Sequence, residues 1–307
     1  MLKIAKHFTL GLMVMWASWL MSSCQEEDVS HQETALVTLS VQHFDIYDDV
    51  MVQSDKSAGL FAKDATASDA TENITVAIFD AVGNVVYNAT QTEDDSSTYD
   101  AYGSFQLRLG YGTYTLVVVG YGTTGTTPET PVVISSPTLA LFPGPKIPDC
   151  LVAQQTFSVT TGGTANLQAV LTRQVARFSV TDPAAVPSNV DSITIAFATG
   201  SKSFNPTTGL ANNSNGYTRG MGVTAAHGQT NHGYGAYLFL NSDEQLVDVA
   251  VTFYDAQGNV NYRKTLDDVY MKRNRHTRAV GSLYSSDADA HFTYDNAWLS
   301  DTTIHFQ

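Results

Sequence analysis

Side chains able to do chemistry stand at a few separated places: Cys24, Cys150, the histidines His227 and His232, the carboxylates Asp267-Asp268 and Asp287-Ala-Asp289, and the basic run Lys272-Arg273-Asn274-Arg275-His276-Thr277-Arg278. The two histidines could hold a metal, but a zinc site needs three or four converging donors. No third histidine or carboxylate stands at a fixed spacing from them, so the run 220–235 reads as a flexible loop. The acidic pairs could bind calcium or divide acid and base roles, yet two carboxylates without further oxygen ligands or a cleft read as solvated loop acids. Cys150, in Pro148-Asp149-Cys150-Leu151, lacks a recognisable catalytic setting and reads as a packed or idle thiol. The basic run could dock an acidic partner or lipopolysaccharide phosphates, because a local cationic patch steers anions even on an acidic protein. Its other reading is an exposed turn and edge strand whose charges discourage aberrant pairing.

Absent patterns narrow the classes further. The sequence has no Gly-x-Ser-x-Gly elbow, no His-Glu-x-x-His, no phosphate loop and no dinucleotide fingerprint. The Gly-rich Gly110-Tyr-Gly112-Thr-Tyr114 runs into Thr115-Leu-Val-Val-Val119, a strand pattern, so its amides cap no helix and cannot cradle phosphate in that way. The expectation is a non-enzymatic protein with no catalytic residues, metal site or cofactor. Sixteen Lys and Arg against thirty Asp and Glu give a net charge of -14, which disfavours nucleic acid.

The first segment reads as an address. Lys3 and Lys6 precede the apolar run Phe8 to Met21, long enough for a signal-peptide core and short for a spanning helix. Leu20-Met21-Ser22-Ser23-Cys24 resembles the lipobox at which bacterial lipoproteins are cut and acylated, which would make residues 1–23 the signal and Cys24 the lipidated first residue. Each buried acyl CH₂ contributes about 0.8 kcal/mol, so several chains make a durable anchor. Gln25-Glu26-Glu27-Asp28 resembles an export signal to the outer face of the outer membrane; the other reading is a solvated tether, residues 24–34. Loss of residues 1–23 removes two lysines and no acid, moving the charge from -14 to -16.

These residues must be carried by strands. From Ala35 onward, short Val/Ile/Tyr/Phe-rich stretches alternate with Gly, Asn, Asp and Ser clusters, and no long helical stripe occurs. The expected class is all-β, with one sandwich over 35–173 and another over 174–307. An internal echo, Val76-Ala-Ile-Phe-Asp80-Ala-Val-Gly83-Asn84-Val85-Val-Tyr87 against Val251-Thr-Phe-Tyr-Asp255-Ala-Gln-Gly258-Asn259-Val260-Asn-Tyr262, predicts two hairpins with Gly-Asn turns. It favours two similarly built domains over a chance likeness of turns. Gln53 to Asn73, Gln91 to Gly103, Gly120 to Thr130 and Gly209 to Gly235 read as long loops.

Several of these features together resemble the fimbrillin superfamily and, within it, the FimB-type anchor subunits of the type V pilus. They are the lipobox at Cys24, Leu171-Thr-Arg173-Gln-Val-Ala-Arg177-Phe178-Ser-Val, Phe204-Asn-Pro-Thr-Thr-Gly209-Leu210, Lys272-Arg-Asn274-Arg-His-Thr277-Arg-Ala-Val-Gly281 and the late Trp298. The resemblance implies two transthyretin-like β-sandwiches in an outer-membrane lipoprotein that is part of a fimbrium and has stalk subunits as partners. In that family, stalk subunits lose their first strand, often by cleavage after arginine, and the groove is filled by a neighbour's terminal strand. Here no arginine occurs between Cys24 and Arg108, and only Lys56 and Lys63 offer basic cleavage sites. A retained lipid and first strand suit an anchor. The period-two segment Thr302-Thr303-Ile304-His305-Phe306 is a candidate donor strand, or else the last strand of its own sheet. A stalk or tip subunit cut after Lys56 or Lys63, and a lipoprotein binding host or bacterial surface glycans, are the alternatives.

Overall fold

The computed structural model describes residues 33–45, 71–95, 97, 99–122, 130–285 and 302–306. The protein is all-β, and Glu33–Gln307 forms one compact unit. The first half contains β1 (Thr34–Asp45), β2 (Asn73–Phe79), β3 (Val85–Thr92), β4 (Ser104–Gly110), β5 (Gly112–Tyr121), β6 (Val133–Ser136), β7 (Leu139–Leu141), β8 (Cys150–Val159) and β9 (Ala165–Arg173). The second contains β10 (Ala176–Asp182), β11 (Ser192–Phe197), β12 (Ser203–Phe204), β13 (Tyr217–Gly222), β14 (His232–Leu238), β15 (Glu244–Tyr254), β16 (Val260–Lys272), β17 (His276–Gly281) and β18 (Thr302–Phe306).

Two cores organise them. In the first half a sheet of order β3-β2-β5-β8-β9-β1-β4 turns over at β8 and β9, which pair only at Leu151↔Arg173 and Val152↔Thr172. Ile74, Val76, Ile78, Leu116 and Val118 on one side share a core with Val37, Leu39, Phe105 and Leu171 on the other. In the second half, β14-β10-β17-β18 and β13-β11-β15-β16 place Phe178, Val180 and Leu238 in a common core with Ile193, Ile195, Val251 and Phe253.

The strands β2 and β5 belong to both cores. Their alternate residues Ala77, Phe79, Val117, Val119 and Tyr121 point away from the first core and join the second. A sheet covered on both faces favours apolar residues at successive positions, which is why Val76 to Phe79 and Leu116 to Val119 read as unbroken hydrophobic runs. The bridge between halves is aromatic: Phe142 meets Tyr121 edge-on at 5.5 Å between ring centroids and stacks near Phe204 and Phe239, each at 6.2 Å. The hairpin β6-β7 of the first half also pairs with β12 of the second, through Ala140↔Phe204 and Leu141↔Ser203.

Polar contacts fix the same seam. Arg173 grips Asp149 with two parallel bonds of 2.8 and 2.9 Å and reaches Asn274 Oδ1 at 3.3 Å. Bidentate arginine–carboxylate pairing restricts orientation as well as distance. Arg273 donates to Gln174 Oε1 and to the Thr208 carbonyl, at 2.8 and 2.7 Å, beside Gly209. Gly209 has φ of 72°, and a Cβ there would collide with Gln174 Oε1 and crowd Arg273.

The two halves repeat one topology. Strands β1, β2, β3, β4, β5, β8 and β9 correspond in order to β10, β11, β13, β14, β15, β16 and β17: β3-β2-β5-β8 matches β13-β11-β15-β16, and β9-β1-β4 matches β17-β10-β14. In each half the first strand runs parallel to the closing one, β1 to β9 and β10 to β17. The echoed hairpins are real but do not mark this repeat, because one is β2-β3 and the other β15-β16, which occupy different places in the plan. Their likeness comes from turn chemistry. Asp80 accepts bonds from the Asn84 amide and side chain at 2.8 and 3.0 Å, and Asp255 does the same with Asn259. Those bonds, the Asn side chain's first, hold both carboxyls below their ordinary pKa.

Within Gly209–Gly235, expected as a loop, lie β13 and the start of β14; five glycines among Arg219 to Gly235 hid the alternation. The strands β6, β7 and β12 were too short for periodicity to show. A two-core protein joined in this way is expected to unfold in urea as one transition by circular dichroism. Phe142→Ala is expected to lower its stability by about 3–5 kcal/mol. Gly209→Ala should cost roughly 1–3 kcal/mol through its left-handed backbone, with added disruption of the Gln174–Arg273 contact.

Candidate functional site

A strand-exchange site needs an apolar slot and a strand free to leave or enter one. In the first sandwich the slot lies between β4 and β9 and is filled by β1, antiparallel to β4 from Thr34↔Gly110 to Ser40↔Ser104 and parallel to β9. Ala35, Val37, Leu39 and Val41 point into the core with exposures of 7% or less, while Leu36, Thr38 and Ser40 between them are half-buried. Burial contributes roughly 1.5–3 kcal/mol for each large aliphatic side chain, so β1 is a principal part of this core. The sequence showed this strand through its alternation, although not its place between two later strands.

At the other end of the chain, Thr302, Thr303, Ile304, His305 and Phe306 form β18, which lies parallel to β17 from Thr277↔Thr302 to Gly281↔Phe306. It is the edge strand of its sheet and has no counterpart in the plan shared by the halves. The matching edge in the first half is that of β9. There β8 and β9 splay and border a polar cleft of about 480 Å³, lined in part by Gln154, Gln155, Gln168 and Gln174.

The chain leaving β17 is held firmly before it reaches β18. Asp182, at the end of β10 and 3% exposed, accepts bonds from the Leu283 and Tyr284 amides at 2.6 and 3.3 Å and from the Ala184 amide at 2.7 Å. The Tyr284 ring packs edge-on against Phe253 and Tyr262, and its hydroxyl meets that of Tyr234 at 2.9 Å. Burial is the main cause raising the pKa of both phenols. Buried Lys264 donates to Ser285 Oγ at 3.0 Å.

The remaining chemical residues are dispersed. Cys24, Lys56, Lys63, Asp287, Asp289 and Trp298 lie outside the described residues. Cys150 is fully buried, and burial followed by the nearby Asp149 charge pushes its thiol pKa well up. His227 Nε2 contacts the Val190 carbonyl, whereas His232 Nδ1 lies 3.0 Å from Gln229 Oε1. Among the described residues no three His, Cys, Asp or Glu side chains gather as a metal site, and no helix is long and apolar enough to cross a membrane. Asp268, with φ of 53°, sits at a bulge between β15 and β16, and its amide donates to Asp248.

The basic run is divided by the fold. Lys272 meets Glu244 at 3.2 Å and Arg273 pairs with Asp243, whereas His276 and Arg278 belong to β17. Sequence reading missed the Asp182 latch, whose only sign was an acid at the end of an apolar strand. Asp182→Ala leaves the buried Leu283 amide and the half-buried Tyr284 amide without that acceptor and is expected to cost about 1–3 kcal/mol for the buried donor. Thermal unfolding by circular dichroism measures the loss.

No curated protein matches the sequence. Among solved structures, a candidate adhesin from Bacteroides ovatus has a TM-score of 0.47 at 9% identity, over 75% of each chain. A fimbrial assembly protein from Parabacteroides distasonis has a TM-score of 0.41 at 14% identity, over 90% of this chain and 98% of that one. The fimbrial anchor protein Mfa2 from Porphyromonas gingivalis has a TM-score of 0.38 at 12% identity, over 75% of this chain and 82% of that one. Likeness at this level does not transfer a function. A family model described as "Family of unknown function (DUF6562)" matches residues 146–307, from the strands that close the first sandwich through the whole of the second. With more than half of its length matched, the chain belongs to that family.

Proposed function

We propose that this chain is a non-enzymatic surface lipoprotein that attaches a fimbrium to the outer membrane, or completes one there, by strand addition to stalk subunits. Acylated Cys24 is the membrane attachment, residues 24–34 are the tether, and 35–173 and 174–307 act as two sandwich domains. The observation that carries the reading is that β18 is additional to the plan that both halves complete without it. Removing it leaves the β10-β17 ladder intact, and its alternation suits a slot lined by alternate side chains. The slot of the first sandwich already holds β1, as an end subunit that accepts no further strand requires.

A stalk or tip role makes a different demand. Cleavage after Lys56 or Lys63 would detach β1, because both follow it in the chain, and would open the slot between β4 and β9. Intact-mass measurement of the mature surface protein separates the two. Lipidated Cys24 at the terminus is expected, and a chain starting after either lysine would overturn the anchor role. Deleting residues 302–307 is expected to leave the melting temperature close to that of the parent. The same deletion should abolish capture of a stalk subunit whose own first strand has been removed. Unchanged capture by the folded deletion variant would sink the donor assignment.

A further inference from the structure

The outer edge of β9 is a second place at which a strand can be added. Its other edge is laddered to β1, whereas β8 meets it only at Leu151↔Arg173 and Val152↔Thr172. The same register would continue to Val159↔Ala165 if the two strands stayed together. Instead each joins its own sheet, β8 beside β5 and β9 beside β1. Residues 153–159 and 165–171 are thereby left without a ladder partner on the cleft side among the described residues. The Gln174 amide donates to the Cys150 carbonyl at 3.0 Å. Successive residues of a strand turn their backbone groups to opposite sides, so Gln168 and Val170 present N–H and C=O to the cleft that they line. Open edges are ordinarily protected by charged side chains or proline, and neither 153–159 nor 165–171 contains one.

The repeat between the halves indicates what such an edge takes. β9 corresponds to β17, and the edge of β17 that faces away from β10 holds β18 in parallel, from Thr277↔Thr302 to Gly281↔Phe306. The corresponding edge of β9 borders the cleft of about 480 Å³. Packed sheets stand about 10 Å apart, roughly twice the spacing of paired strands, which gives the opening between β8 and β9 the width of one strand. The sixteen residues 286–301 that lead to β18 can span up to about 55 Å, against roughly 17 Å for a return along five residues of β17. This surplus gives β18 the reach to leave its own sheet for a neighbour's. We infer that β9 accepts, in parallel, the β18 strand of a second copy of this chain. The contact is heterologous, an edge of one copy against the end strand of the next, so it builds open chains of copies. It does not use the slot that β1 fills, and it goes beyond the anchor reading without resting on it.

Sedimentation velocity of the full chain tests this contact. Association that rises with concentration is expected, and deletion of residues 302–307 should leave a monomer. Gln168→Pro removes an outward N–H, which an edge strand tolerates because the β1 ladder does not use it. That variant should also be monomeric, with an unchanged circular dichroism spectrum. Val170→Lys places a charge on the exposed edge and should weaken association without altering the backbone. The first two defects are complementary: the deletion variant keeps the acceptor edge and Gln168→Pro keeps the strand, so their mixture should form a 1:1 dimer and nothing larger. Gln168→Pro should still capture a stalk subunit, which separates this contact from the donor role of β18. A full chain that stays monomeric, a deletion variant that associates like the parent, undiminished association of both folded edge variants, or a mixture that forms no dimer would each overturn the proposal.

Discussion

Ile74, Val76 and Ile78 point into one core while Ala77 and Phe79 point into the other, so β2 cannot move without opening both. The same holds for β5, where Leu116 and Val118 alternate with Val117, Val119 and Tyr121. A strand buried on two faces has no solvent side to absorb a polar residue or a register slip, since a one-residue shift exchanges the whole of each face. This constraint holds the halves together. It makes Phe142 and the β7-β12 pairing part of a continuous core, and it explains why Arg173–Asp149 can add orientation to a seam already closed by packing.

Around that fixed centre the chain's two ends are treated differently. The first strand is built into the core between β4 and β9, with its alternate side chains almost completely withdrawn from water. The last is added outside a sandwich that is complete without it, with parallel pairing to a single neighbour. Asp182 holds the departing chain close to the sheet. An internal strand loses its ladder on both sides when displaced, whereas an edge strand loses one, so the first strand is the costlier of the two to displace.

Much of the fold was legible because burial on one face writes itself as period two: β1, β10 and β11 all show it in their side-chain burial. Strand identity was legible for β2 and β5 as well, but their apolar runs did not say that a second core lay behind them. Glycines in Tyr217–Gly222 removed the side chains that would have shown alternation. The repeated Asp-x-x-Gly-Asn turns pointed to duplication through local chemistry, whereas the duplication itself lies in strand order, which no short window of sequence records. Of the candidate sites, the charge run at Lys272 to Arg278 was visible, but its partners Glu244, on β15, and Asp243, just before it, and its neighbours Arg177 and Tyr237 lie elsewhere in the chain.

The parallel pairing of β1 with β9 has a consequence in time. Thr38 and Asn166, whose side chains meet across that pair, are 128 residues apart in the chain, and even the antiparallel partner β4 begins only at Ser104. The opening strand therefore remains without its two neighbours during most of the synthesis of the first half. Pairing at such separation gives the high contact order that slows all-β folding to the range of milliseconds to seconds. A chain of this topology can be handed over unfolded and acquires its shape only when the closing strand of each half has arrived.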